Sequence, residues 1–259
     1  MTKLTFLGTG TSQGVPMIGC NCEVCTSADP KDKRLRASVF VEHEGLKLVI
    51  DAGPDFRTQM LNEDIGSIDA ILLTHNHKDH TGGLDDIRAF NYHEKKAAQI
   101  YCEKYVEDSL RMEYSYAFAE NKYPGAPEWQ VHIIDEKSFE INGVEIIPIR
   151  GMHYKLPVLG YRFGDIAYCT DMNNIPQEEF AKLQGLEHFI INTVRKRPHI
   201  SHFSLEEALE VAAKVGARHT WLTHLSHQLP CHMDLISELP DGVLPAYDGL
   251  VIEAVNTGA

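Results

Sequence analysis

The stretch Thr74-His75-Asn76-His77-Lys78-Asp79-His80 puts three imidazoles and one carboxylate within six residues. It follows an apolar run over residues 68–73 that predicts a buried strand, and residues 74–83, ending in Gly82-Gly83, read as a loop. Loops at the carboxyl ends of buried strands are where α/β proteins hold ligands. Imidazole and carboxylate together suit zinc, manganese or iron, and four donors on one short loop do not converge on a single ion without strain. Two adjacent metal ions are the natural reading. The rival is a histidine-rich surface loop, and the preceding strand and the glycine pair weigh against it.

Upstream, residues 46–50 predict a strand running into Asp51-Ala52-Gly53, and Pro54 suits the first turn of a helix over residues 55–62. With the strand before the metal loop this makes a strand, helix, strand unit. Earlier strands fall at residues 3–7 and 38–42. Downstream come a helix over 84–93, a strand over 99–102, a helix over 106–118 and an irregular stretch over 123–129 carrying Pro124, Gly125 and Pro127. The second half opens with strands again, at 131–134, 139, 144–150, 160–163 and 166–169, with Asn142-Gly143 as a hairpin turn. A short helix over 178–183, a strand over 188–192, an amphipathic helix over 205–215 capped by Ser204 and a strand over 219–222 follow. Two halves that each begin with strands and pass into helices predict an α/β fold with two sheets face to face and helices outside, an αββα sandwich in one domain over residues 1–259.

Composition bounds the function. Apolar residues make up 43% and charged residues 24% of 259, ordinary globular usage. A net charge of −13 disfavours a broad grip on nucleic acid, while bound cations would still attract a small anionic substrate. No run approaches the ~20 apolar residues of a membrane helix, and the first residues lack a signal-peptide pattern. The expectation is a cytoplasmic protein that binds neither membrane nor nucleic acid, with a homodimer left open.

Of six cysteines, three lie in Gly19-Cys20-Asn21-Cys22-Glu23-Val24-Cys25. C-x-C-x-x-C spacing suits one tetrahedral ion but is a ligand short. His227 leads as the fourth, with Cys231 and His232 competing. A closed Cys₃His site would be structural, whereas a redox cluster or free thiols are the rival readings. Cys102 and Cys169 lie within predicted strands and read as buried small side chains.

The metal loop resembles the HxHxDH signature of the metallo-β-lactamase superfamily, and Leu48-Val49-Ile50-Asp51-Ala52-Gly53 resembles the strand before it. That resemblance implies a metallo-β-lactamase-type sandwich and three further ligands from later loops, for which His153, Asp171 and His224 stand in the right order. Singly, each would read as a hydrogen-bonding side chain. By the same resemblance His75, His77 and His153 would hold one metal, Asp79, His80 and His224 the other, with Asp171 bridging and Asp51 supporting from behind.

The opening Gly8-Thr9-Gly10-Thr11-Ser12-Gln13-Gly14-Val15-Pro16, the cysteine motif, Thr223-His224-Leu225-Ser226-His227-Gln228 and Tyr247-Asp248-Gly249 narrow this further. Together they resemble the phosphoribosyl cyclic phosphate phosphodiesterase (PhnP-like) family. The resemblance implies two active-site ions, Mn²⁺ or Zn²⁺, and a structural Zn²⁺ on Cys20, Cys22, Cys25 and His227. It implies hydrolysis of a small, cyclic phosphodiester by metal-activated water, with Asp79 and His202 at the reaction and His202 giving the leaving oxygen its proton. His199 is the near alternative. The helix start at Ser204 would favour a phosphate, and Arg195-Lys196-Arg197 reads as a solvated turn. The alternatives are a tRNA-processing-type ribonuclease and a cofactor-handling protein like that of pyrroloquinoline quinone biosynthesis, which departs from the intact metal loop.

Overall fold

Strand residues that are apolar on both faces demand cover on both faces, and the chain meets that demand with four layers. The structure, a computed structural model, describes residues 1–255. Its first half runs β1 (Thr2–Gly8), α1 (Glu23–Thr26), β2 (Ser38–His43), β3 (Leu46–Ile50), α2 (Phe56–Asn62), β4 (Ala70–Leu72), α3 (Lys78–Thr81), α4 (Arg88–Glu94), β5 (Ala98–Cys102), α5 (Lys104–Glu113), α6 (Ser115–Phe118) and β6 (Trp129–Ile133). The second runs β7 (Phe139–Ile141), β8 (Val144–His153), β9 (Leu156–Phe163), β10 (Ile166–Cys169), β11 (His188–Asn192), α7 (Leu205–Val215), β12 (His219–Thr223), α8 (His232–Glu238), β13 (Val243–Pro245) and β14 (Val251–Ala254).

Two seven-stranded sheets result, ordered β14-β1-β2-β3-β4-β5-β6 and β13-β12-β11-β10-β9-β8-β7. Each mixes antiparallel pairing on one side, β14 to β3 and β7 to β10, with parallel pairing on the other, β3 to β6 and β10 to β13. The αββα sandwich expected from the alternation of elements is the architecture found.

Strand periodicity explains the layers. Leu48 and Ile50 enter the core between the sheets with Phe6, Leu72, Tyr161 and Tyr168, while Val49 and Ile71 face outward against Phe56, Met60 and Leu110 of the helices. On the other side Phe189 and Ile191 meet Leu205, Ala208 and Leu235 of α7 and α8. Each such fully buried side chain contributes about 1.5–3 kcal/mol.

Several bounds differ from the sequence expectation. The helix expected over 106–118 breaks at Tyr114, whose hydroxyl donates to the carbonyl of Thr81 at 2.8 Å behind the metal loop. Residues 177–183 form a 3₁₀ turn rather than an α-helix, and β9 begins at Leu156 instead of 160. The strands β13 and β14 and the helix α8 had no clear pattern. Among the described residues no helix is long and apolar enough to cross a membrane.

The sheet ends bring the site together. Asp51 follows β3, Thr74 and His75 follow β4, His153 ends β8, Asp171 follows β10 and His224 follows β12. The β3 end and the metal loop are locked by bonds from Ala52 N–H to the His80 carbonyl and from Gly83 N–H to the Ala52 carbonyl, both 2.8 Å. So close an approach excludes side chains: a Cβ on Gly53 would stand 1.9 Å from the Asp79 carbonyl oxygen, and one on Gly83 2.1 Å from that of Gly53.

Candidate metal centre

Most of the histidines predicted as ligands lie buried, and their hydrogen bonds show which ring nitrogen is left over. The His153 Nδ1–H donates to the Ser201 carbonyl at 2.8 Å, which fixes the tautomer and leaves Nε2 as a lone pair. His80 sets Nδ1 against Asp51 Oδ2 at 2.6 Å, and His75 sets Nδ1 against the Thr74 hydroxyl at 2.9 Å. The opposite nitrogens, His75 Nε2 and His80 Nε2, are buried with no hydrogen-bond partner, as is His224 Nδ1. Orphaned buried nitrogens call for an explanation, and a cation supplies one.

Carboxylates surround those nitrogens. His80 Nε2 lies 3.2 Å from both Asp79 Oδ2 and Asp171 Oδ2, and His224 Nδ1 lies 3.2 Å from Asp171 Oδ2. These are ion-pair distances without hydrogen-bond geometry, so the nitrogens aim between the oxygens rather than at them. His75, His77 and His153 present ligand atoms within 4.8 Å of one another, and so do His75, His80 and Asp171. His75 is common to both groups, and His153, Asp171 and His202 form a further one. Asp51, Asp171 and His224 all hold left-handed backbone, φ +65°, +56° and +56°, a conformation non-glycine residues keep where surroundings impose it.

Electrostatics agree with a cation site. Burial opposes charge on His80, yet Asp171, Asp79 and Asp51 outweigh it and hold its pKa well above the ordinary value. Burial and then the neighbouring His80 push His75 well below. Burial would raise Asp171, but His224 and His80 keep it ionised. This set of imidazoles and carboxylates suits divalent zinc or manganese.

Next to it stands His202. Its Nδ1 is 3.7 Å from Asp171 Oδ1 and has no hydrogen-bond partner, and its ring stacks on His224 at 4.9 Å between centroids. Burial, then His224, lowers its pKa to about 3. His199 lies one ring further out, 4.9 Å from His202, with Nδ1 accepting the Ser201 N–H at 3.3 Å. The helix start behind them offers no free donors for a phosphate at two positions: Leu205 N–H goes to the Arg195 carbonyl at 2.9 Å and Glu207 N–H to the Ser204 hydroxyl. Glu206 and Glu207 also make that first turn acidic.

The cysteine motif gathers with His227, not with its competitors. Cys20 Sγ and Cys22 Sγ stand 3.3 and 3.4 Å from His227 Nδ1, and Cys25 Sγ completes a cluster within 4.8 Å. Donors of a tetrahedral zinc, with Zn–S ~2.3 Å and Zn–N ~2.0 Å, sit about 3.5 Å apart, so the cluster fits. A backbone bond at Cys25 and then His227 lower Cys22 to about 6, while burial raises Cys25 to about 11. His232 is engaged elsewhere, its backbone N–H on Asp32 at 2.7 Å and its Nδ1 accepting from Arg34 at 3.4 Å. Sequence reading missed the polar anchor beside it: buried Arg34 donates to the Thr9 hydroxyl and the Ala246 carbonyl, and Asp248 accepts from Thr9 and from the Leu35 N–H.

Comparison with known proteins places this geometry. Residues 47–225 match the beta-lactamase superfamily domain. A crystal structure of a new diphosphatase from the PhnP family superposes with a TM-score of 0.91 at 39% identity, covering 97% of this chain and 96% of that one. Zn²⁺-bound PqqB from Methylobacterium extorquens shares the fold, with a TM-score of 0.79 at 18% identity over 97% of this chain and 100% of that one. A Porphyromonas gingivalis protein named octanoyltransferase is 41% identical over 251 residues, 96% of this chain but 51% of that protein. The chain thus spans about half the length of that relative. With a metallo-hydrolase fold and this resemblance over nearly its whole length, the chain belongs to the beta-lactamase superfamily and, within it, to the PhnP family.

Proposed function

We propose that the protein is a metal-dependent phosphodiesterase acting on a small, cyclic phosphodiester at a dinuclear centre. The observation that carries it is the buried set of unpartnered nitrogens on His75, His80 and His224 facing Asp79 and Asp171. His75, His77 and His153 would hold one divalent ion, Asp79, His80 and His224 the other, and Asp171 would touch both. When bound, such a pair supplies an activated water at neutral pH and positive charge for the phosphoryl oxygens.

The chain's own groups do the rest. Asp51 and the Ser201 carbonyl orient the rings of His80 and His153. Asp171 keeps negative charge between the two ligand sets. His202 lies beside the centre but outside both sets; burial favours its neutral ring, so proton donation to the departing oxygen would depend on Asp171, 3.7 Å away, offsetting that burial for the charged form. Cys20, Cys22, Cys25 and His227 would hold a structural zinc that ties the N-terminal loop to the segment bearing His224.

A second reading, cleavage of a diphosphate, is favoured by the 39% identical relative described as a diphosphatase. The experiment assays manganese-loaded protein on bis(p-nitrophenyl) phosphate, a ribose cyclic phosphate and a nucleoside diphosphate. The proposal expects turnover of the first two and its loss in His77→Ala. A variant with wild-type rates rejects the site, and turnover of the diphosphate alone selects the second reading.

A further inference from the structure

Two stretches from opposite ends of the chain meet at one hydroxyl. Thr9 Oγ1 donates to Asp248 Oδ1 at 2.7 Å and accepts from the Arg34 guanidinium at 2.9 Å, so its proton is committed and its rotamer fixed. Thr9 and Arg34 are both buried. Burial disfavours the Arg34 cation, and Asp248 opposes that more than any other carboxylate. Asp248 also takes the Leu35 N–H on Oδ2 at 2.6 Å, while Arg34 gives a further bond to the Ala246 carbonyl. The junction thereby joins the loop after β1, the segment before β2 and the turn between β13 and β14.

What this junction holds is the main chain beside a metal ligand. The Thr9 carbonyl accepts the Leu225 N–H at 2.8 Å, and the Leu225 carbonyl accepts the Thr11 N–H at 3.3 Å. On its other side the same short stretch pairs with the segment of Arg34: Gly10 N–H donates to the Leu35 carbonyl at 2.8 Å and Ala37 N–H to the Gly10 carbonyl at 3.0 Å. Leu225 directly follows His224, whose backbone at φ +56° is a conformation that a non-glycine residue keeps where its surroundings over-determine it. Ahead of His224 the constraint is the Thr193 N–H on the Thr223 carbonyl at 2.9 Å; behind it the constraint is Thr9. Other ligands lean on different supports, His80 on Asp51 and His153 on the Ser201 carbonyl.

We infer that Thr9 is a positioning residue of the metal centre, locked by Arg34 and Asp248 so that its main chain sets His224 for the ion shared with Asp79 and His80. The inference rests on the dinuclear reading above and adds what governs the occupancy of one of its two positions. Thr9, Arg34 and Asp248 would act through His224 and leave the reacting atoms to the metal ligands and His202.

The test is a Mn²⁺ titration of the chain after selective chelation of its active site, with free Mn²⁺ followed by electron paramagnetic resonance. The wild type should take up two Mn²⁺. Thr9→Val keeps the shape and removes the hydroxyl; affinity for one Mn²⁺ should fall about 10–100-fold while the other stays within about twofold. Thr9→Ser, which keeps the hydroxyl, should restore wild-type binding. Asp248→Asn, which turns an amide N–H₂ toward one of the two donors, should reproduce the loss and carries the comparison if Thr9→Val does not fold. His224→Ala should weaken the same ion, and adding Thr9→Val or Asp248→Asn to it should weaken binding no further. Equal weakening of both ions, no weakening, a loss that persists in Thr9→Ser, or a further loss in the double variant would overturn the inference. A wild type that takes up a single Mn²⁺ refutes the dinuclear reading separately.

Discussion

Asp51 Oδ2 lies 2.6 Å from His80 Nδ1, and the same carboxylate accepts the N–H and O–H of Thr74 at 2.8 Å each. One fully buried side chain thereby sets the ring of a metal-loop histidine and the exit of β4. Asp51→Asn keeps the shape but removes the charge that makes His80 a stronger donor to metal. Metal affinity, read by chelator competition, should fall about 10–100-fold while the fold persists by circular dichroism. Unchanged affinity would mean that Asp51 only braces the backbone.

His202→Ala should separate proton donation from metal binding. An alkyl leaving group needs a proton and p-nitrophenolate scarcely does, so kcat should drop about 10²–10⁴-fold on alkyl diesters and far less on bis(p-nitrophenyl) phosphate, with metal content intact. Equal losses on both substrates would assign His202 to positioning instead.

The cysteine cluster is expected to contribute stability. Cys22→Ser should remove one zinc per chain, measured by elemental analysis, and lower Tm by about 6–12 °C, the equivalent of about 3 kcal/mol in a chain of this size. A full zinc complement in that variant would place the ion elsewhere.

His232 should make stability fall in mild acid. Burial, then Arg34, lowers its pKa from 6.5 to about 4, so the folded state favours the neutral ring. The stabilisation is therefore present above pH 6.5 and is lost as pH falls toward 4. Over that window wild type should lose about 2–3 kcal/mol more than His232→Gln in urea unfolding, because the glutamine has no proton to take up. Parallel curves for the two proteins would show that His232 carries no such linkage.

What the sequence disclosed followed from how local each signal is. His75, His77, Asp79 and His80 lie within six residues, the last two in the helical turn α3 where the sequence predicted a loop, so their density alone points to metal. His153, Asp171 and His224 are single residues on three separate loops and become legible only through the order a known family imposes. Strands buried on both faces, such as β3 and β11, were plain from continuous apolar runs. The break at Tyr114 was not, since it serves a bond to Thr81 far away in sequence.

The central claim is a pair of cations gathered by side chains from four segments of the chain. Anomalous diffraction from crystals grown with manganese and zinc tests it most directly. The account predicts two ions ~3.5–4 Å apart among His75, His77, Asp79, His80, His153, Asp171 and His224, and a third at Cys20, Cys22, Cys25 and His227. A single active-site ion, or a pair that leaves Asp171 outside its coordination, would contradict it.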